Sequence, residues 1–198
     1  MTTLVAIDHK IRQLRRKNER SRPFLCNGSP IGCDVAEVGI NPATDIPFWP
    51  HWNVRSGCDK QGWLRDCRQK YGRLSRTRNR IEELADSLAP LRLLELNLYP
   101  HFSPSLKDLA REHQETALFD YLMEITKPKV LLVHGNKPST HLEKLFGFGV
   151  ELPKDEFTSV TYKGETLEVY RSKRHFSRVS IDYVTSVASE IKAHIAKL

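Results

Sequence analysis

Four short, almost wholly apolar runs constrain the fold of this chain more than any other feature. Each is rich in Val, Leu or Ile, and each ends in a loop marked by Gly, Pro, Asn or basic residues. Such runs are typical of strands that are buried on both faces, as in parallel sheets. The four predicted strands are VAEVGIN (35 to 41), LRLLELNLY (91 to 99), KVLLVHG (129 to 135) and TLEVYRS (166 to 172).

Helical patterns lie between and beyond these strands. Apolar residues recur at helical spacing from Leu4 to Leu14 and from Ile181 to Leu198. A third helix is expected from Leu106 to Met123, with Ser105 as its cap, and a fourth is expected to begin near Ser139. Strands that alternate with helices predict an α/β fold, here a three-layer α/β/α domain around a central four-stranded parallel sheet.

The length of the chain, 198 residues, suits one domain. We expect residues 1–198 to form it as a monomer, with residues 1–22 as a basic N-terminal helix packed on the rest. No apolar run approaches the roughly 20 residues that span a bilayer, and the N-terminus lacks a signal-peptide core. We therefore expect an intracellular protein, in the cytoplasm or beside DNA in a nucleoid or nucleus, with no membrane partner.

Positive charge is concentrated in one segment. The net charge is +7, and the nine Lys and Arg residues from Arg55 to Arg80 are opposed only by Asp59 and Asp66, so this segment alone equals the excess. Further basic runs are KIRQLRRKNERSR (10 to 22) and RSKRHFSR (171 to 178). Clustered cations predict a polyanionic partner, with nucleic acid as the leading candidate, although a solvated basic face would have the same composition.

The basic segment also has helical periodicity. At about 100° per residue, five arginines fall within an arc of about 140°, and apolar residues fall on the other side. Arg78 breaks the pattern, and Gly72 predicts a break in the helix. An arginine-covered face suits phosphate, because the guanidinium is planar, charged and bidentate. These arginines are Arg65, Arg68, Arg73, Arg76 and Arg80.

The cysteines, all in the first third of the chain, do not form a metal motif. No pair has the CxxC spacing that predicts zinc or an iron–sulfur cluster. We therefore expect reduced thiols, no metal site and no cofactor. The four residues are Cys26, Cys33, Cys58 and Cys67.

Polar side chains follow each predicted strand, at the end where open parallel sheets bind their ligands. Three aromatic rings also follow the first strand. Amides, imidazoles and rings together suit a flat polar heterocycle that is stacked on one face and hydrogen-bonded at its edge, such as a nucleobase. The polar groups are Asn41-Pro42, Asn97 to Pro100, His134 to Asn136 and Arg174 to Ser177, and the rings are Phe48, Trp49 and Trp52.

These segments resemble, in order, the motifs of the uracil-DNA glycosylase superfamily. GINPAT (39 to 44) is similar to the first motif of the mismatch-specific and single-strand-selective branches, and LLELNLYP (93 to 100) to the segment whose Asn reads the base. VLLVHGNKP (130 to 138) is similar to a strand without catalytic residues, and RHFSRVS (174 to 180) to the motif that contains HPS. The resemblance covers about residues 35–180.

The resemblance implies a monofunctional DNA glycosylase that hydrolyses the N-glycosidic bond of uracil, or of a related deaminated base, in single- or double-stranded DNA during base excision repair. Asn41 would orient the hydrolytic water, Asn97 would pair with the flipped base, and His175 would donate a hydrogen bond to the uracil O2. One of Phe48, Trp49 and Trp52 would stack on the base.

Other positions receive supporting roles from the same resemblance. Ser177 would contact a backbone phosphate, and Val179 would be the wedge that fills the vacated stack. Gly39 and Pro42 would shape the pocket beside Asn41. The basic residues expected to bind DNA are Arg174, Arg178, Arg65, Arg68 and Arg76.

Departures from the motifs keep other hypotheses open. HFS replaces HPS, and Ala43-Thr44-Asp45 replaces a Gly-containing turn, so the pattern also fits a relative that binds nucleic acid with little or no catalysis. A third hypothesis is an α/β enzyme for a free nucleotide or small metabolite. A second alignment places His134 on the HPS motif; we prefer His175 because its loop is basic and follows the fourth strand.

Overall fold

The computed structural model describes residues 3–14, 21–147 and 149–198. Its helices are α1 (Leu4–Leu14), α2 (Lys60–Tyr71), α3 (Arg76–Leu88), α4 (Ala117–Thr126), α5 (Asn136–Phe146) and α6 (Ile181–Ile195). Its strands are β1 (Phe24–Leu25), β2 (Asn27–Gly28), β3 (Val35–Gly39), β4 (Trp52–Asn53), β5 (Gly57–Asp59), β6 (Leu93–Asn97), β7 (Val130–His134), β8 (Phe157–Tyr162) and β9 (Glu165–Ser172).

The central sheet is mixed and has six strands in the order β1-β6-β3-β7-β9-β8. Strand β7 pairs in parallel with β3 and β9, whereas β1 pairs antiparallel with β6, and β8 pairs antiparallel with β9. The α/β class is therefore confirmed, but the expectation of a purely parallel four-stranded sheet is wrong. The two antiparallel strands escaped prediction because β1 has two residues and only one of the six residues of β8 is buried, so neither forms a buried apolar run.

Residue contacts divide the chain into two compact units. The first unit comprises Met1–Gly32, Gly39–Arg73 and Leu94–Lys127. The second unit comprises Cys33–Val38, Leu74–Leu93 and Pro128–Leu198. Each unit has its own candidate functional residues: Asn41 and Asn97 lie in the first, and His134 and His175 lie in the second.

The second unit is built on one face of β3, β7 and β9. Apolar side chains at alternate positions of these strands pack against α3 and α6, because side chains two apart in a strand point to the same face. Helix α5 contacts β7 and β8. The buried cluster contains Val35, Val130, Leu132 and Tyr170 from the strands, Ile81, Leu84 and Leu88 from α3, and Val184, Val187, Ala188 and Ile191 from α6.

The first unit packs α1 and α4 together and places α2 beside β2 and the short 3-10 turn Trp49–His51. A small antiparallel sheet, in the order β2-β5-β4, belongs to this unit. Its core contains a buried ion pair: Nζ of Lys60, the first residue of α2, lies 2.8 Å from Oε1 of Glu95 in β6. Both side chains are almost completely buried.

The arginine-rich segment forms two helices, α2 and α3, with the break at Gly72 that the sequence predicts. Gly72 ends α2 in the left-handed conformation with φ of 71°, and Ser75 caps α3 by accepting a hydrogen bond from the N–H of Arg78. Arg78 itself is buried and pairs with Glu82 at 3.2 Å, which explains why it falls off the arginine face.

The helix expected from Leu106 to Met123 is wrong over its first half. That part contains only the 3-10 turns Leu106–Asp108 and Arg111–His113, and α4 begins at Ala117. The helix expected near each terminus is present as α1 and α6, and the one expected near Ser139 is present as α5. Residues 15–20 of the basic N-terminal run lie outside the described part of the chain. No helix within the described ranges has the length and hydropathy for a bilayer crossing.

The buried pair predicts a stability experiment. Lys60→Met should lower the free energy of unfolding by about 3–5 kcal/mol, because it removes the ammonium group that pairs with the buried Glu95 carboxylate. The double variant Lys60→Met/Glu95→Leu should recover most of that loss, because neither charge remains. Urea unfolding measures both values. Equal losses in the single and double variants would contradict the assignment of the cost to the unpaired charge.

Candidate active site

The GINP segment of the first unit is held by backbone hydrogen bonds to the segment that follows β6. The N–H of Leu98 donates to the carbonyl of Gly39 at 3.0 Å, and the N–H of Tyr99 donates to that of Ile40 at 2.8 Å. One step further, the N–H of Ser103 donates to the carbonyl of Pro42 at 3.0 Å. The two polar motifs of this unit, which contain Asn41 and Asn97, are thereby fixed side by side.

The side chain of Asn41 is oriented by two carbonyl oxygens. Its Nδ2 donates to the carbonyl of Ser103 at 3.0 Å and to that of Pro42 at 3.2 Å. Because only the NH2 group of an amide donates, both contacts fix which end of the side chain is nitrogen. Oδ1 then remains as the acceptor end of a half-buried amide, which is the atom that would hold a water by accepting one of its hydrogens.

Asn97 is the last residue of β6 and is 7% exposed. It precedes Leu98, whose N–H bonds to Gly39, so its position is tied to the GINP segment through one peptide unit. Glu95 lies two residues earlier on the same strand and holds Lys60. A side-chain amide at such a site offers one donor and one acceptor, so it can pair with a neighbouring acceptor and donor on the edge of a base.

The three aromatic rings are packed rather than open. Phe48 has no exposed surface, and its ring centroid lies 5.1 Å from that of Phe24 and 5.9 Å from that of Trp52. Trp52 is 8% exposed and donates its Nε1–H to Asp8 of α1 at 2.9 Å. Neither ring has a face open to a base in this conformation, which leaves Trp49 as the candidate among the three predicted stacking residues.

Trp49 is the remaining aromatic candidate and is half-buried. The guanidinium of Arg12 in α1 lies 4.2 Å from its ring centroid, a cation–π distance. Arg22, from the same basic N-terminal run, lies 5.0 Å from the ring of Trp63. Arginines of that run therefore contact aromatic side chains of the unit itself.

The loop that follows Pro42 is tethered to the end of α2. Nζ of Lys70 donates to the carbonyl oxygen of Asp45 at 2.6 Å and to its Oδ2 at 3.3 Å. The N–H of Asp45 donates to the hydroxyl of Tyr71 at 3.1 Å. The helix that carries Arg65 and Arg68 thus also fixes the loop beside Asn41.

In the second unit, a carboxylate and an imidazole pair inside the core. Glu37 lies in the middle of β3 and His134 ends β7, and both side chains are about 3% exposed. Oε1 of Glu37 lies 2.5 Å from Nε2 of His134. The ring of His134 stacks on that of Phe176 with centroids 4.6 Å apart and an angle of 6°.

His175 lies against this pair. Its ring centroid is 4.6 Å from that of His134, with the planes at 71°. The backbone N–H of Ser177 donates to Nδ1 of His175 at 3.2 Å, and the Ser177 hydroxyl lies 2.9 Å from the same atom. Because Nδ1 accepts the backbone hydrogen bond, the proton of the neutral ring is on Nε2.

The protonation of His175 is also shifted by its surroundings. Burial lowers its pKa from the ordinary 6.5 to about 4, with smaller contributions in the same direction from His134 and Arg178. The ring is therefore neutral at pH 7. A neutral imidazole with its proton on Nε2 is a hydrogen-bond donor that carries no positive charge of its own.

The loop before His175 is held by a polar network. The hydroxyl of Tyr183 in α6 donates to Oδ1 of Asp155 at 2.5 Å and accepts from the N–H of Lys173 at 3.2 Å. Ser172 donates its hydroxyl to the carbonyl of Arg174 at 2.8 Å. The backbone on both sides of position 174 is thereby fixed next to the imidazole.

The predicted DNA-binding residues divide into exposed and buried ones. Arg174 and Arg178 are exposed, whereas Val179 is 5% exposed and packs in the core with α3 and α6. This burial does not support the wedge role expected for Val179, which stays a prediction. Exposed arginines of the helices are Arg65 and Arg68 in the first unit and Arg76 in the second.

The cysteines are buried, and burial raises the pKa of the Cys58 thiol to about 11, which makes it a poor nucleophile at pH 7. Within the residues that the structure describes, no group of three or more His, Cys, Asp and Glu side chains is arranged to hold a metal ion.

The comparison with protein-family models finds no match for this chain, and the comparison with curated proteins finds none.

The position of Glu37 could have been noticed in the sequence. A single carboxylate inside the buried run VAEVGIN requires a partner, because an unpaired buried charge is too costly. The same signal is present at Glu95 in LLELN, whose partner is Lys60. What the sequence does not reveal is which cation or imidazole supplies the pairing.

The lowered pKa of His175 predicts its titration. In ¹⁵N spectra of the imidazole, Nδ1 should remain unprotonated from pH 8 down to about pH 5, with a midpoint near 4. The unfolded chain binds this proton near pH 6.5 and the folded one near 4, so protonation favours unfolding between these values. The contribution of His175 to stability should therefore decrease as the pH falls through that window. A midpoint near 6.5 in the folded protein would contradict the expectation.

Proposed function

We propose that this chain is a DNA glycosylase that hydrolyses the N-glycosidic bond between deoxyribose and uracil or a related deaminated base. The observation that carries the proposal is His175: a neutral ring, half-buried, with its proton directed to Nε2 by the hydrogen bond to Nδ1. In such a reaction negative charge develops on the O2 of the departing base. A preorganised donor stabilises that charge without the cost of reorienting water.

Asn41 supplies the second part of the proposed reaction. Its Nδ2 is held by two carbonyls, so Oδ1 can accept a hydrogen from the attacking water and place it beneath the sugar. An amide cannot accept a proton or provide a negative charge. The proposed mechanism therefore rests on positioning of the water and on stabilisation of the leaving base, and Asn97 recognises the edge of that base.

The basic surface supplies the binding part of the proposal. Exposed arginines on α2 and α3 suit phosphate contacts, and the energy of these contacts would offset the few kcal/mol that extrusion of a base costs. In this proposal Ser177 has a second role besides its contact with a backbone phosphate, because its hydroxyl and N–H both contact Nδ1 of His175.

A second candidate is a nucleic-acid-binding protein that does not cleave. The closed aromatic cluster favours it, because Phe48 and Trp52 offer no face for a flipped base. A base-release assay separates the candidates. It uses single-stranded oligonucleotides with one uracil and duplexes with uracil, hypoxanthine or thymine opposite guanine, with the protein in excess and abasic sites detected by alkaline cleavage. Release of uracil supports the glycosylase, and no release from any substrate would exclude it.

Two substitutions test the chemical roles. Asn41→Ala and His175→Ala should each lower the single-turnover cleavage rate by about 100- to 1000-fold, because each removes a group that acts in the transition state. DNA affinity, measured by fluorescence anisotropy, should change little. Asn79→Ala and His9→Ala, at exposed positions, are the matched controls.

The exposed arginines of α2 and α3 have a separate test. The variant Arg65→Ala/Arg68→Ala/Arg76→Ala should weaken DNA binding and reduce the slope of log K against log salt by up to about 3, because each phosphate contact contributes roughly 0.9. The cleavage rate at saturating protein should be kept. The control removes the same charge from exposed lysines, Lys144, Lys154 and Lys197. Equal effects in both variants would show that net charge, rather than these three arginines, determines binding.

A further inference from the structure

We propose that Glu37 and His134 form a buried positioning pair that fixes the imidazole ring of His175. This inference deepens the proposed function and rests on it for the catalytic part. Neither residue reaches substrate in the proposed reaction, because both are almost fully buried. Their role is to determine the orientation of a donor that does.

The strand register brings the two members of the pair together. In the parallel pairing of β3 and β7, Val35 lies opposite Val130 and Glu37 lies opposite Leu132. His134 is two residues beyond Leu132, so its side chain is on the same face of β7 as Leu132. Glu37 therefore needs to reach only to the next residue on the same face of β7. Its Oε1 lies 2.5 Å from Nε2 of His134.

The Glu37 contact is the polar anchor of the His134 ring. The other ring nitrogen, Nδ1, is buried and has no hydrogen-bond partner within the described part of the chain. The flat faces are determined by packing, with Phe176 stacked at 4.6 Å. Removal of the carboxylate would leave the ring without its only polar restraint among the described residues, so rotation about its χ2 angle would be restricted by packing alone.

The restrained ring of His134 in turn restrains the ring of His175. Its ring contacts both Phe176 and His175, which are adjacent in sequence. The next residue, Gly135, has φ of +95°, and a Cβ there would be in ordinary van der Waals contact with Cδ2 of His175, at 3.7 Å. The His175 ring is thus bounded by the ring of His134 and by the Nδ1 hydrogen bond from Ser177.

A second carboxylate–histidine pair in the same unit provides a matched control. Glu168 in β9 is buried, and its Oε2 lies 2.9 Å from Nε2 of His194 in α6. His194 stacks on Phe157, with ring centroids 3.8 Å apart. Both pairs join a buried carboxylate to an imidazole, but the ring that contacts His175 is that of His134, in the Glu37 pair.

The test compares Glu37→Met, which removes the hydrogen bond at similar volume, with Glu37→Gln, which keeps an acceptor for His134. Glu37→Met should lower the single-turnover rate by about 10- to 100-fold at unchanged DNA affinity, the loss typical of partners that orient a functional histidine. Glu37→Gln should restore the rate to within a few-fold of the wild type. Glu168→Met should leave the rate unchanged.

A spectroscopic arm tests the same inference without base release. In ¹⁵N spectra at pH 7, wild-type His175 should show one tautomer, protonated at Nε2, and Glu37→Met should show a mixture of tautomers or broadened signals. Glu168→Met should retain the wild-type His175 signals. If the wild type releases no base, the proposed function fails, and these spectra alone decide the positioning role.

Folding defects are handled by a third variant. Glu37→Leu/His134→Phe replaces the buried pair with apolar groups of similar size, a change that is often neutral for stability. It should show the same loss of rate and the same change in the His175 spectrum as Glu37→Met. The proposal is overturned if Glu37→Met or the double variant keeps both the wild-type rate and the wild-type His175 spectrum. It is equally overturned if Glu168→Met causes a matching loss.

Discussion

A buried carboxylate in the middle of an apolar strand is the constraint on which the second unit depends. Glu37 is surrounded by the core that β3, β7 and β9 form with α3 and α6, and an isolated charge there would cost several kcal/mol. The cost is offset only if β3 and β7 keep the register that brings His134 within reach. A shift of one residue would turn Glu37 to the other face of the sheet. The pair therefore fixes register, and the register in turn fixes the ring against which His175 lies.

The first unit also contains a buried carboxylate, but its partner is an ammonium group rather than an imidazole. Glu95 is buried in β6 two residues before Asn97, and Lys60 reaches it from the first turn of α2. This pair connects the strand that ends in the base-reading candidate to the helix that carries Arg65 and Arg68. Beyond the strand end, backbone hydrogen bonds continue the connection to the GINP segment. In both units, a buried ionisable pair lies close to a residue that would perform chemistry: Glu95 is two residues before Asn97, and the His134 ring lies against His175.

The sequence predicts the strands well because continuous apolar runs have few alternatives: all four predicted strands form, within a few residues of their expected ends. It also predicts the break at Gly72, since glycine readily adopts the left-handed conformation found there. It fails where tertiary contacts decide. Phe48 and Val179 lie in segments whose composition suggests a binding surface, but both side chains are buried in their units. The segment after Ser105 has helical spacing, yet it forms only isolated 3-10 turns before α4. The partners of Glu37 and Glu95 are distant in sequence, so periodicity cannot identify them.

In the proposed reaction, an amide at position 41 leaves more of the charge stabilisation to His175 than a carboxylate at position 41 would. A carboxylate at that position could stabilise positive charge developing on the sugar, so the barrier would be lowered from two sides. Asn41 offers only an oriented acceptor for water. Most of the electrostatic stabilisation in the proposed reaction must then come from the donor at the departing base, and a donor is effective only when it is aligned before the charge appears. A rigid, neutral His175, restrained on its Nδ1 side by Ser177 and along its ring by His134, meets that requirement.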